Sequence, residues 1–494
     1  MRILFASSEV APFAKTGGLA DVSGALPAAL ARLGHDVRIV MPKYAAVDAQ
    51  RWGLTPGDEI VVRLAGQESR FILWSGHLPE TAPNTTVECG FLANDRLFNR
   101  PGLYQEGGKD HPDNLERFSA FSRAVLDVPQ AWRWRPDVVH ANDWQTALTL
   151  LYLRTHTIGG LGREPGVAPP ATLFTIHNLA YMGLFPAGQF PLLDLPPRYF
   201  TPETLEFYGQ VNLLKAGLLY ATLLNTVSPT YSREIQTPEF GYGLEGLLRA
   251  RQRDLSGVIN GVDYAEWSPA RDPHLPARYD AEDVTGKRTC KRALQKACGL
   301  PVKAAPLIGM VTRLTAQKGI DLVLDVLDEL LQLDLQLVIL GSGDPALERA
   351  LQQAAKRAPA KLSVHRVFDE PLAHRIEAGA DLFLMPSKYE PCGLNQLYSL
   401  RYGTIPIVRR TGGLADTVVD ATPGNLAAGT ATGIVFETAS GHALLNAVRL
   451  ALSLYRQDSV WPRMITSAMA ADFSWERSAR EYVALYERAI KAAG

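Results

Sequence analysis

The sequence predicts an α/β protein made of two doubly wound, parallel-sheet domains. Three observations lead there. Short β-branched runs alternate with amphipathic helical stretches along the whole chain. A charged, proline-rich stretch at 267–287 interrupts that rhythm once, near the middle. The roughly ten strands exceed what one small Rossmann unit holds, and the interruption counts against a continuous barrel.

Taken in order, Ile3-Leu4-Phe5 reads as the first strand, followed by a glycine-rich loop and a helix at 22–33. Further strands are expected at 37–40, 137–140, 172–176 and 223–227. Each is short, apolar and closed by a polar turn, the pattern of a strand buried on both faces. The apolar segment 211–228 carries Asn212, Lys215 and Asn225, so it reads as a buried helix and strand, not a membrane span. In the second half, 307–311, 336–340, 381–385 and 405–408 are strands, with helices at 320–331 and 345–357. The domains expected are 1–256 and 257–474, the stretch at 267–287 being an irregular excursion of the second.

Composition narrows the function. Hydrophobic residues make up 47% and charged residues 20%, as in an ordinary globular protein. The net charge of −1 leaves no basic excess for a nucleic acid or an anionic membrane, so any anion site must be built locally. Cys89, Cys290, Cys298 and Cys392 form neither a Cys-x-x-Cys pair nor a disulfide framework. A reducing, cytoplasmic setting without a zinc knuckle fits that usage. The N-terminal apolar run is too short for a signal sequence, and Glu9 interrupts it.

The candidate functional residues cluster at strand ends. Thr16-Gly17-Gly18-Leu19-Ala20-Asp21 recurs word for word as Thr411-Gly412-Gly413-Leu414-Ala415-Asp416, with Lys15 and Arg410 in front of the two copies. Glycines there let the backbone approach a ligand, and the helix that follows offers amides to an anion. Arg313 and Lys318 share one strand-to-helix loop, where two cations can grip a diphosphate. Glu390 precedes Cys392, Gly393 and Leu394, and its carboxylate can accept sugar hydroxyls. His177, Asp143 and Trp144 also lie at strand ends. Each has a plain structural reading too: a tight turn, a solvated loop, a helix-capping carboxylate, a packed thiol, a satisfied histidine, a core tryptophan. No Asp-x-Asp occurs, so charge on a departing diphosphate falls to Lys15, Arg313, Lys318 and helix ends rather than to a metal. These residues carry the reading as far as a two-domain α/β protein that binds an anionic sugar nucleotide.

Together, Lys15-Thr-Gly-Gly-Leu-Ala-Asp21, Thr175-Ile-His177-Asn-Leu, Asn260-Gly-Val-Asp263, Arg313 with Lys318-Gly319, and Glu390-Pro-Cys-Gly-Leu394 resemble bacterial glycogen synthases and plant starch synthases. The resemblance runs from residue 1 to about residue 476, with the motifs in the family's order. It implies the GT-B architecture: two Rossmann-like domains facing a central cleft, with a C-terminal helix at 475–494 returning to the first. It also implies a metal- and cofactor-free transferase that moves glucose from ADP-glucose to the non-reducing end of an α-1,4-glucan such as glycogen, with retention. By similarity, Lys15, Gly17 and Gly18 face the diphosphate and glucose, and Arg313 and Lys318 hold the diphosphate. Glu390 and His177 contact the donor glucose. Thr411, Gly412 and Gly413 border the phosphate, and Cys392, Gly393 and Leu394 belong to the donor side. Asp21, Tyr104, Asn114, Asp143, Trp144 and Asn260 are acceptor-side or supporting residues. Two positions depart from the wider pattern. Tyr398 stands where many related transferases carry a second Glu, and Asn142 where a His is frequent. The alternatives are a UDP-glucose-using GT-B transferase and an inactive glucan-binding regulator.

Overall fold

A computed structural model describes residues 1–79, 86–155, 161, 169–367 and 369–493. The chain divides into two compact units. One comprises Met1–Val227, Ser232–Gly261 and Trp475–Gly494; the other comprises Ser228–Tyr231 and Val262–Ser474.

The first unit is built on a nine-stranded sheet. Its strands are β1 (Arg2–Ala6), β2 (Asp36–Pro42), β3 (Thr55–Leu64), β4 (Gln67–His77), β5 (Glu88–Ala93), β6 (Val138–Asn142), β7 (Ala171–Ile176), β8 (Leu223–Thr226) and β9 (Leu255–Gly257). They lie in the order β9-β8-β7-β6-β1-β2-β5-β4-β3. The run from β9 to β5 is parallel. The strands expected in this half are β1, β2, β6, β7 and β8. The β3–β4 hairpin, which pairs antiparallel with β5, was not expected. Its outer face is a ladder of exposed ion pairs, Arg63–Glu68, Arg70–Glu59 and Arg70–Glu68, which masks the apolar alternation. The two-residue turn places Ala65 and Gly66 at φ 50° and 75°, both left-handed, matching the twist of the hairpin.

Helices α1 (Gly18–Arg32), α2 (Asn114–Ala124), α3 (Trp144–Thr155) and α4 (Leu214–Tyr220) belong to this unit. In the 211–228 segment, Lys215 is buried yet satisfied: its Nζ donates to the carbonyls of Pro202 at 2.6 Å and Glu206 at 2.7 Å. The C-terminal helix (Trp475–Ala493) also lies on this unit. Its Tyr486 hydroxyl meets His140 Nδ1 at 2.9 Å, its Tyr482 hydroxyl accepts from Asn225 at 2.9 Å, and Ser478 donates to the Ile259 carbonyl at 2.7 Å. A division after residue 256 would cut β9, which hydrogen-bonds along β8, and the first unit continues to Gly261.

The second unit carries a six-stranded parallel sheet. In chain order its main elements are α5 (Thr285–Ala297), β10 (Leu307–Val311), α6 (Ile320–Asp325), α7 (Leu327–Gln332), β11 (Gln336–Leu340), α8 (Pro345–Arg357), β12 (Leu362–His365), α9 (Glu370–Gly379), β13 (Leu382–Met385), α10 (Asn395–Arg401), β14 (Ile405–Arg409), α11 (Gly412–Thr417) and β15 (Ile434–Phe436). The strand order is β12-β11-β10-β13-β14-β15, the 3-2-1-4-5-6 arrangement of a dinucleotide-binding fold. The single helix expected at 320–331 is two, broken where Val326 leaves helical geometry at φ −123°. Ile308, Met310, Leu337, Ile339, Leu384 and Ile407 form the centre of the core. Each such side chain contributes about 1.5–3 kcal/mol by burial.

The excursion at 267–287 is anchored rather than loose. Lys287 is buried, and its Nζ donates to the carbonyls of Ala378 and Tyr402 at 3.0 and 3.1 Å and to Thr404 Oγ1 at 2.5 Å. Burial lowers its pKa to about 8. Among the described residues no helix is long and apolar enough to cross a membrane.

The close fit of the C-terminal helix gives a test of the first unit. A Cβ added at Gly261 would lie 2.5 Å from the Trp475 Cα. Gly261→Ala is expected to cost about 1–3 kcal/mol and lower the thermal midpoint, because backbone cannot swing aside as a side chain can. An unchanged midpoint in calorimetry would show that this contact yields freely.

Candidate functional site

Each sheet reverses its direction of growth beside one central strand, and there the loops leave the carboxyl ends of two neighbouring strands toward opposite faces. Ligand crevices of open α/β sheets form at that point. In the first unit the neighbours are β1 and β6; in the second they are β10 and β13. The predicted site residues of each unit gather largely on those loops.

After β1, Lys15, Thr16, Gly17 and Gly18 are exposed. Lys15 Nζ pairs with Asp21 at 2.6 Å. Gly17 caps α1 in extended geometry, with no side chain capping the helix. The loop is held from below by Glu9, which the sequence did not single out as a site residue. The buried Glu9 carboxylate accepts from the Thr16 N–H at 2.5 Å, the Thr16 hydroxyl at 2.6 Å, the Gly17 N–H at 3.2 Å and the Tyr104 hydroxyl at 2.7 Å. Tyr104 also meets Ser8 Oγ at 2.7 Å. Asn114 donates to the Tyr104 carbonyl at 3.0 Å and accepts from the buried Arg117 at 2.7 Å. Tyr104 and Asn114 thus brace the glycine loop through Glu9.

After β6, Asp143 takes a left-handed backbone, φ 55°, unusual for a non-glycine residue. Its Oδ1 accepts the His177 N–H at 2.7 Å. Burial raises the Asp143 carboxyl to about 7, against the pull of the backbone N–H groups of His177 and Asn178. His177, at the end of β7, lies with Nε2 2.9 Å from Asn142 Oδ1. Asn142 is itself oriented by donating to the Ala6 carbonyl at 3.0 Å, so His177 Nε2 carries the proton toward it. Burial holds the His177 imidazole down at about 3, and so neutral. Asn142 is therefore a working part of this cluster, a residue the sequence marked only as a departure. Trp144 is half-buried, edge-on to Phe118 at 5.0 Å, with Gly183 close against its ring face. Asn260 is buried and its Oδ1 has no hydrogen-bond partner among the described residues.

In the second unit, Lys318 reaches across from the loop after β10 to the loop after β13. Its Nζ donates to both Glu390 oxygens, at 2.8 and 2.6 Å, and Ser387 Oγ donates to Glu390 Oε2 at 2.9 Å. Glu390 is only 5% exposed, so its charge is compensated inside the protein. Arg313 is exposed and pairs with no carboxylate among the described residues. Gly319 turns with φ 73°, where a Cβ would lie 2.1 Å from the Pro386 carbonyl oxygen. The Thr411-Gly412-Gly413 loop packs onto the same turn. Gly413 N–H donates to the carbonyls of Glu390 and Pro391 at 3.2 and 3.1 Å, and a Cβ on Gly412 would lie 1.9 Å from the Glu390 oxygen. Cys392 is buried, Gly393 has φ 74°, and Leu394 caps α10.

The repeated hexapeptide is not a structural repeat. Gly17 is extended, φ −155°, with open space around it, whereas Gly412 is left-handed, φ 42°. Asp21 pairs with Lys15, while Asp416 accepts from the hydroxyl of Ser228 and from the N–H and hydroxyl of Thr230, the last two at 2.9 and 2.6 Å. Tyr398 has a packing role: its ring stacks on Trp267 at 3.8 Å and 2°. Among the described residues, no group of metal-ligating side chains converges in either loop cluster.

The chain matches two family models, the starch synthase catalytic domain over residues 2–250 and glycosyl transferases group 1 over residues 295–461. It is 52% identical to glycogen synthase 1 of Methylococcus capsulatus over 99% of this chain and 97% of that protein. It is 51% identical to a glycogen synthase of Anaeromyxobacter dehalogenans over 98% of this chain and 99% of that protein. Among solved structures, it resembles the catalytic domain of starch synthase IV from Arabidopsis thaliana bound to ADP and acarbose, with a TM-score of 0.88 and 34% identity over 99% of both chains. With two Rossmann-like units and full-length likeness to these enzymes, the chain is a GT-B-type glycosyltransferase and belongs to the bacterial glycogen synthase and plant starch synthase family.

Proposed function

We propose that this enzyme transfers glucose from ADP-glucose to the non-reducing end of an α-1,4-glucan, with retention of anomeric configuration, and releases ADP. One observation carries the reading. Lys318, Glu390 and Ser387 form a preassembled cluster at the switch point of a sheet with dinucleotide-binding strand order, and Arg313, which pairs with no carboxylate among the described residues, leaves the same loop as Lys318. A fixed carboxylate beside one held lysine and one exposed arginine suits a ligand that is polyhydroxylated at one end and a diphosphate at the other.

In this reading Arg313 and Lys318 hold the diphosphate, and Lys15 with the Gly17 and Gly18 backbone faces the diphosphate and glucose. Glu390 orients the donor glucose by accepting from its hydroxyls. Thr411, Gly412 and Gly413 border the phosphate, beside Cys392, Gly393 and Leu394. His177, held neutral, offers an uncharged imidazole to the donor sugar; a cation there would repel the oxocarbenium charge that develops at the anomeric carbon. Asp143 and Asn142 keep that imidazole in place. Tyr104, Asn114 and Asp21 support the glycine loop, and Trp144 and Asn260 serve the acceptor side. Retention proceeds on one face, the departing phosphate taking the acceptor proton, so catalysis is positioning and charge stabilisation. No step uses a metal. The four buried thiols suit a reducing cytoplasm.

Incorporation of labelled glucose into glycogen, measured in EDTA, is expected from ADP-glucose. Transfer only from UDP-glucose, or only with added Mg²⁺, would overturn the donor or the metal-free mechanism. Arg313→Ala and Lys15→Ala are each expected to slow turnover ~10²–10³-fold while the protein stays folded. A folded variant with near-normal kcat removes that residue from the mechanism.

The His177 imidazole is expected to stay neutral across the working pH range. Its folded pKa lies far below the unfolded value of 6.5, so its contribution to stability is full above pH 6.5 and is lost as pH falls from there toward about 3. Nitrogen-15 histidine spectra, assigned with His177→Gln, should show no protonation of this ring between pH 5 and 8 (a range of about three units around the ordinary histidine value). A titration near 6.5 would contradict the burial argument.

A further inference from the structure

A cluster in the second unit, built from none of the predicted site residues, has the composition of a metal centre. Glu370 opens α9 and His374 follows one turn later, so both project from one face of the helix. Glu266 approaches from the turn at the start of the 263–287 segment. One donor atom from each of Glu266, Glu370 and His374 lies within 4.8 Å of the other two. Two ligands held ~2.1 Å from a tetrahedral cation stand ~3.4 Å apart. Both carboxylates are exposed.

His374 supplies the independent sign of a ligand. The ring is 2% exposed. Its Nδ1 lies 2.8 Å from Asp272 Oδ2. Asp272 is fully buried and also accepts from the Tyr402 hydroxyl at 2.6 Å and the His274 N–H at 2.8 Å. With the proton on Nδ1 given to Asp272, the lone pair is at Nε2. That nitrogen is buried and has no hydrogen-bond partner among the described residues. Trp267 lies flat on the imidazole at 3.8 Å and 11°, fixing its plane. A carboxylate that orients an imidazole by one nitrogen, so that the other faces further carboxylates, is the outer-shell arrangement of histidine metal ligands.

We propose that His374 Nε2, Glu266 and Glu370 bind one divalent cation of zinc type, with Asp272 as the positioning residue and water completing the coordination. One nitrogen and two carboxylate oxygens suit Zn²⁺ in preference to Mg²⁺, which takes oxygen alone and keeps its waters. Two carboxylates also balance a doubly charged ion. The role is structural: the cation ties the 263–287 segment to α9. Through the stack of His374, Trp267 and Tyr398 it also steadies α10, the helix that follows the Glu390 turn.

The test uses the full-length protein, stripped with EDTA, dialysed and titrated with Zn²⁺ by calorimetry, with thermal unfolding in parallel. One Zn²⁺ per chain and a raised midpoint are expected. The Glu266→Gln/Glu370→Gln double variant, altered only at exposed positions, should stay folded and lose the stoichiometric binding. Asp272→Asn should weaken binding ~10–100-fold. Co²⁺ in place of Zn²⁺ should give the visible absorption of a four-coordinate site, absent in the double variant. No stoichiometric Zn²⁺ uptake by the native chain, or equal uptake by the native chain and the double variant, overturns the site. Glucose transfer in EDTA should continue in the native chain, which separates this site from the proposed chemistry.

Discussion

A parallel sheet that winds outward in both directions from a central strand must send successive crossover helices to opposite faces, because each crossover is right-handed. The two loops at the reversal then diverge, and the space between them is left for side chains and ligand. The rest of this protein's functional geometry depends on that constraint. In the second unit it places Lys318 and Glu390 side by side although 72 residues separate them. In the first it sets the Glu9 and glycine-loop segment beside Asn142 and Asp143. The glycines follow from the same crowding. Gly319 and Gly412 sit where neighbouring carbonyls leave no room for a Cβ, so their role is to let two loops close on each other.

How much of this the sequence showed depended on the range of the interaction. Buried parallel strands are legible because both faces are apolar, and β10, β11 and β13 stand out as short unbroken runs. The β3–β4 hairpin was hidden because one face carries its charges. Lys15, His177, Arg313, Lys318 and Glu390 were visible as polar residues at strand ends. What they bind within the protein was not. Glu9 lies on the right loop, but only folding shows that its carboxylate takes the Thr16 and Gly17 amides. The repeated hexapeptide is the sharpest case. Six identical residues suggest one local structure twice, yet the Glu390 turn pressing on Gly412 forces a different backbone. Asp416 is committed to Ser228 and Thr230, nearly two hundred positions away.

Tyr398 shows how a departure from a family pattern can be absorbed. A carboxylate at that position on α10 would face Trp267, an apolar plane that offers no hydrogen bond to its face. The tyrosine ring instead adds the third layer of a stack that begins at His374. Such offset or parallel ring contacts add about 0.5–1.5 kcal/mol beyond area burial, and they hold α10 without spending charge. At the switch point of the second unit, the carboxylate on the loop after β13 is Glu390.

The pairing of that carboxylate sets the division of labour among the cations. A buried ion pair gains little net stability, since desolvation offsets most of the attraction, and its value lies in fixed orientation. With both Glu390 oxygens bound by Lys318 and one also by Ser387, the carboxylate cannot rotate away from the sugar it is proposed to hold. Lys318 meanwhile has its charge largely compensated before a donor arrives. Two opposite unit charges 4 Å apart near a protein surface attract by about 4 kcal/mol. On the proposed function, an incoming diphosphate meets a Lys318 already paired with Glu390, and Arg313, which pairs with no carboxylate among the described residues. On that reading, long-range attraction and first capture fall to Arg313. In the proposed mechanism Lys318 acts at short range, offering an N–H to the diphosphate while it keeps Glu390 in place. In the proposed mechanism that contact is made in the bound donor and strengthens as the leaving diphosphate gains charge, which favours the transition state.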